Sequence, residues 1–92
     1  MRKYPTFKRH VVVTPANTQE SIEFQEAAFA AGFVWGEGDT NSQYTHKPQL
    51  CLWKDNGTIC YSDDTNIDPE DDVLLNIEDV IAALKEMANE YK

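Results

Sequence analysis

The sequence predicts an α+β domain: a small, mostly antiparallel sheet centred on a hairpin at 50–62 and covered by two helices, at about 18–31 and 77–91. Three observations carry this expectation. Asn56-Gly57 separates two runs rich in apolar and aromatic residues, the strongest short-range hairpin signal a sequence carries. Ile77, Val80, Ile81, Leu84, Met87, Ala88 and Tyr91 recur at i, i+3, i+4, i+7 spacing, the mark of an amphipathic helix. Phe24, Ala27, Ala28 and Ala31 form a second stripe at helical spacing, and its small side chains let a helix lie close to a sheet. The order strand, helix, strands, helix puts both helices on one face. Ninety-two residues make one domain, 1–92, with a small core.

The hairpin admits two registers. With Asn56-Gly57 as a two-residue loop, Leu50, Leu52, Ile59 and Tyr61 share one face and Cys51, Trp53 and Cys60 the other. With Asp55-Asn56-Gly57 as a type I turn and glycine bulge, Cys51, Trp53, Ile59 and Tyr61 share a face, with Leu52 and Cys60 behind. Lys-Asp-Asn-Gly-Thr fits the bulged turn better, because glycine takes the left-handed position and threonine restarts the strand. Either way both faces carry apolar residues, so the second face is partly covered or is a contact surface.

The other elements follow in chain order. Residues 1–8 form a loose, basic segment in which Pro5 offers no ladder donor. His10 to Thr14 is a strand whose three valines suit burial on both faces, and Pro15 ends it. Asn17 and Glu20 stand three apart as an N-cap and its reciprocal partner. Ile22 and Phe29 lie opposite the alanine stripe and need a second surface, the last helix. Gly32 suits the left-handed position after the helix and Phe33 folds back. Phe33-Val34-Trp35 starts a short strand, and Gly36 to Gln43 has the composition of a flexible surface loop. Its Gly-x-Gly lacks the following helix and Lys-Ser/Thr of a phosphate loop. Val73-Leu74-Leu75 is a short strand or a packed entry, and Asn76 caps the last helix.

Composition narrows the function. An apolar content of 41% with ten aromatics fits a folded chain. No apolar run approaches the roughly 20 residues that span a bilayer. The basic N-terminus lacks the apolar stretch of a secretory signal, so the expected setting is cytoplasmic. Cys51 and Cys60 are then reduced, small buried hydrophobes, and a disulfide between them requires a register that sets them opposite each other. His10 and His46 stand too far from the cysteines for zinc spacing. Asp64, Asn66 and Asp68 match the first three positions of a calcium loop, but Pro69 stands where glycine is needed and Leu75 where glutamate is needed. No metal, cofactor or catalytic residue is therefore assigned.

Charge is the most unusual feature. Residues 1–19 carry Arg2, Lys3, Lys8 and Arg9 and no acid, and residues 20–92 carry all sixteen acids against four bases, a net of −12. Such a field repels nucleic acid and attracts basic partners, although acidic surfaces also serve solubility alone. Two binding readings follow. In the first, Asp63, Asp64, Asp68, Glu70, Asp71 and Asp72 dock on a basic protein, with Glu20, Glu23 and Glu26 as a second row. In the second, Trp35, Trp53 and Tyr61 on a spare face of the sheet hold a small molecule or peptide, against the competing reading of plain core packing.

A helix, then Gly32-Phe33-Val34-Trp35-Gly36, then a Trp and Asn-Gly hairpin, an acidic loop and a terminal helix together resemble the small accessory proteins of tailed bacteriophages. The resemblance spans most of the chain and implies a host-takeover or counter-defence role executed by binding. It carries over no functional residues. The expectation is a small acidic, non-enzymatic cytoplasmic protein that engages a basic host protein through its acidic surface, as a nucleic-acid mimic or inhibitor.

Overall fold

The computed structural model describes residues 6–90. It has five strands and two helices: β1 (His10–Val13), α1 (Thr18–Ala30), β2 (Val34–Trp35), β3 (Gln49–Leu52), β4 (Thr58–Ser62), β5 (Asp72–Leu74) and α2 (Ile77–Glu90). Arg2, Lys3, Pro5 and Tyr91 lie outside the described residues. No helix among the described residues is long and apolar enough to cross a membrane.

One sheet holds all five strands in the order β2-β4-β3-β1-β5. The hairpin β3–β4 and the pair β1–β3 are antiparallel. Each edge adds a parallel pair, β1 with β5 and β2 with β4, so the sheet is mixed. β3 alone runs against the other four. Strands that follow one another in the chain and run in the same direction need a crossover, and among the described residues there are two: α1 carries the chain from β1 to β2, and residues 63–71 carry it from β4 to β5.

The helix ends form as their sequence dictates. Asn17 Oδ1 accepts from Glu20 N at 2.8 Å, and Glu20 Oε1 accepts in return from Ala16 N at 2.8 Å, so the reciprocal bond reaches one residue before the cap. Gly32, at φ 103°, lets Phe33 N reach Ala28 O (2.9 Å) and Gly32 N reach Phe29 O (3.0 Å). These two bonds satisfy carbonyls that the helix end leaves free. Asn76 Oδ1 accepts from Glu78 N and Asp79 N and caps α2.

The hairpin takes neither expected loop. Cys51 pairs with Cys60 and Leu52 with Ile59, and Trp53 N donates to Thr58 O at 2.8 Å, so residues 54–57 form a four-residue loop. Tertiary partners lengthen it. Lys54 N donates to His10 Nδ1 (3.1 Å), Lys54 O accepts from Phe7 N (2.8 Å) and Gly57 O from Val34 N (2.9 Å). These backbone groups are diverted from the ladder. Four residues preserve the side-chain parity of two. Leu50, Leu52, Ile59 and Tyr61 therefore share the front face, and Cys51, Trp53 and Cys60 the back.

The front face is the core. Val11, Val13, Trp35, Leu50, Leu52 and Ile59 pack with Phe24, Ala27, Ala28 and Ala31 of α1 and Ile77, Val80, Ile81 and Leu84 of α2. Phe29 is partly buried against this core. Burial of each large α2 side chain contributes about 1.5–3 kcal/mol. Four of them together are comparable with the whole stability of a small domain, about 5–15 kcal/mol, so loss of α2 unfolds the chain.

The back face is thinner. Residues 63–71 cross it as a strap, held where Gln49 Nε2 donates to Asn66 O (3.4 Å). Val12 and Gln49 are buried there. Cys51 and Cys60 are half-buried rather than buried, because the strap covers less than a helix does.

Candidate functional site

The site begins with the shortness of β2. After Trp35 the chain turns: Gly38 N donates to Trp35 O (2.7 Å) and Trp35 N to Asp39 O (3.0 Å), with Gly38 at φ 93°. Two residues suffice to pair with Thr58 and Ile59. Among the described residues, no strand flanks the outer side of β4 beyond Ile59. A pocket of about 320 Å³ opens there, walled by Trp35, Glu37, Asp39, Tyr44, Ile59 and Tyr61, among others.

Loop 36–43 is tied into this wall. Gln25, fully buried on α1, grips the backbone of Gln43 as a neighbouring strand does. Its Oε1 accepts from Gln43 N (2.8 Å) and its Nε2 donates to Gln43 O (2.6 Å) and to Ser21 Oγ (3.2 Å). Gln43 Nε2 donates in turn to Asp39 Oδ2 (3.3 Å). The next residue, Tyr44, has φ 52°, a left-handed conformation that non-glycine residues adopt only when the surroundings fix it. The clamp supplies that constraint.

Tyr44 joins the other two rings. It meets Trp35 edge-on, with centroids 5.1 Å apart at 67°, and stacks on Tyr61 at 4.4 Å and 28°. Lys47 Nζ sits over the Tyr61 ring, 4.8 Å from its centroid, and pairs with Asp63. The hydrogen bond to Asp63, with that carboxylate's charge, raises the lysine above its ordinary range. Tyr61 thus already offers an electron-rich face to a cation. Among the described residues, the pocket wall contains Glu37 and Asp39 and no lysine, arginine or histidine. Trp35 Nε1 is a buried donor without an acceptor among the described residues, and such a group costs about 1–3 kcal/mol. Lys47, the cation beside the Tyr61 ring, is paired with Asp63, so the carboxylates of the wall are not offset by it and the site's electrostatics favour positive charge.

Of the aromatic candidates, Trp35 and Tyr61 come together, whereas Trp53 is placed elsewhere. It stands on the back face, stacked on His10 with centroids 3.9 Å apart at 30°. Tyr44, Gln25 and Gln43 were not singled out from sequence. Tyr44 lies between the loop that ends at Gln43 and the hairpin that starts at 50, in a stretch without a helix or strand pattern. Gln25 carries no local signal, because its partner lies 18 residues away.

The six acidic candidates lie along the strap and at the start of β5. Asp63 is paired with Lys47. Asp64 Oδ1 accepts from Asn66 N (3.0 Å), Asp68 Oδ1 from Glu70 N (3.0 Å) and Asp72 Oδ2 from Asp68 N (2.9 Å). Glu70 and Asp71 are exposed. Four of the six thus shape the strap, which keeps their charge but fixes their orientation. Among the described residues no group of three or more His, Cys, Asp or Glu side chains converges as a metal site needs.

Comparison with known proteins finds no matching family model, no matching curated protein and no matching solved structure.

Proposed function

We propose that this chain is a binding protein that seats a cationic side chain of a basic protein partner in the pocket of Trp35, Tyr44 and Tyr61. One observation supports the reading above the others: Tyr44 packs on both Trp35 and Tyr61 around a pocket whose charged wall residues, among the described residues, are Glu37 and Asp39. A cation over an aromatic face gains about 0.5–1 kcal/mol when exposed and about 2 when desolvated. The nearby carboxylates add Coulomb attraction that water screens only in part. A peptide also brings carbonyl oxygens, and one of them is a natural partner for the Trp35 indole donor after a small shift of the wall.

This reading joins the two expectations drawn from sequence. The net of −12 over residues 20–92 attracts the basic partner from a distance, and Asp64, Asp68, Glu70, Asp71 and Asp72 contribute to that field. The aromatic pocket then supplies the contact. A cytoplasmic setting accompanies the proposal through the N-terminus, which lacks the apolar stretch of a secretory signal, and a host-directed inhibitory role accompanies it through the resemblance to phage accessory proteins.

The test is a fluorescence titration of Trp53→Phe, in which Trp35 is the sole indole, with a lysine- and arginine-rich peptide and with tetramethylammonium. Saturable changes with both ligands, lost in Tyr44→Ala and Tyr61→Ala variants that remain folded, are expected. Peptide affinity weakens with salt through the long-range field, and tetramethylammonium affinity weakens much less. A peptide signal that survives both tyrosine substitutions places the contact elsewhere and overturns the reading.

A further inference from the structure

The register of the hairpin sets two thiols opposite each other. Cys51 and Cys60 are direct cross-strand partners, and both are free. They project from the same, back face, where the strap leaves each of them half-buried. Trp53 N bonds Thr58 O two residues away, so Cys51 and Cys60 occupy a hydrogen-bonded position of the ladder. Opposed residues at such positions have Cα atoms about 5.5 Å apart, within the roughly 4.4–6.8 Å that a disulfide spans. Their Cβ atoms, at about 5.5 Å, are wider apart than the roughly 3.5–4.5 Å a relaxed disulfide prefers. A bond closed there pulls the strands together and carries strain. Strained disulfides are the easily reduced ones.

We propose that Cys51 and Cys60 form a reversible redox pair, closed to a cross-strand disulfide by a glutathione-type disulfide and reopened by a dithiol reductant. The chemistry balances without another reactant. The Cys60 thiolate attacks one sulfur of the oxidant, forming a mixed disulfide and releasing one thiolate, which takes up a proton. The Cys51 thiolate then displaces the second thiol and closes the Cys51–Cys60 bond. Two protein thiols lose two electrons and two protons, and the oxidant becomes two thiols. Cys60 is the entry sulfur because, among the described residues, no strand flanks the outer side of β4 beyond Ile59, whereas Cys51 lies between β1 and β4. Burial pushes both thiols up, so the exchange is slow near neutrality and accelerates with pH. The inference rests on the hairpin register and stands whether or not the pocket takes a cation.

The experiment equilibrates the folded chain in oxidised and reduced glutathione mixtures, quenches with acid, alkylates and weighs the intact protein. Concerted loss of both thiols in a monomer, reversed by dithiothreitol, is the expected result. Cys51→Ala should stop at one glutathione adduct on Cys60, because the resolving sulfur is gone. Two independent glutathione adducts on the native chain, disulfide-linked dimers, or thiols that stay free in fully oxidised glutathione overturn the proposal. Circular dichroism of the native chain and of both alanine variants establishes that each reacts in the folded state.

Discussion

The two tryptophans of this chain sit in opposite circumstances. Trp35, on the front face, is 5% exposed, touches Tyr44 edge-on and holds a donor without an acceptor among the described residues. Trp53, on the back face, is 38% exposed and rests on His10. Both flank strand β4 of the same sheet, Trp35 through its pairing with Ile59 and Trp53 through its bond to Thr58, and Trp35 lines the pocket. The front face has two helices, and its edge opens into a cleft walled by an anchored loop. The back face has a strap, and its aromatic ring covers sheet surface. Composition places aromatic residues in a sheet, and strand parity decides which of them gather.

The contrast between the faces can be broken at several points. The largest effect belongs to the helix-covered face: Leu84→Ala, at a side chain 1% exposed, should cost about 2–5 kcal/mol, read from urea unfolding. A loss below about 1 kcal/mol would mean that α2 is not seated as described. Next comes the clamp. Gln25→Ala leaves the Gln43 backbone without its partners and should cost about 1–3 kcal/mol. It should also release Tyr44, seen as a red-shifted Trp35 emission in a Trp53→Phe background. An unchanged emission would detach the loop from the site.

Smaller changes probe the back face. Trp53→Ala removes a ring contact worth about 0.5–1.5 kcal/mol and should leave binding of a basic peptide unaltered. Lost binding would move the site to the back face. The smallest effect is a pH slope. Burial, with smaller contributions from Cys60 and Asp72, pushes the Cys51 thiol up to about 12. The unfolded chain, with an ordinary thiol near about 8.5, ionises first. The folded state therefore keeps this contribution below that pH and loses it as pH rises towards about 12. Cys51→Ala removes the contribution, so the difference in unfolding midpoint between native chain and variant should shrink across that window. A constant difference would show the thiol to be solvated.

Much of the fold was legible because its signals are local. The asparagine caps, the glycine after α1 and the periodicity of α2 each lie within one or two helical turns. The hairpin was legible as a hairpin but not in its loop length, because Lys54 and Gly57 bond to residues distant in sequence. The edge pairings β1–β5 and β2–β4 join segments more than 20 residues apart, and no local pattern encodes them. The site divides in the same way. Trp35 and Tyr61 stood out as aromatic residues on strands. Tyr44 did not, because its place beside them depends on the Gln25 clamp. The acids stood out as a run, but that run gave no sign that half of its carboxylates bond to backbone within the strap.

The most direct measurement follows the two indole N–H resonances in a ¹⁵N-correlated NMR spectrum during titration with a lysine- and arginine-rich peptide. The expected result is a saturable shift of the Trp35 indole with the Trp53 indole stationary, since Trp35 and not Trp53 lines the pocket proposed to seat the cation. A shift of the Trp53 indole alone, or none at either, contradicts the assignment of the aromatic pocket as the binding site.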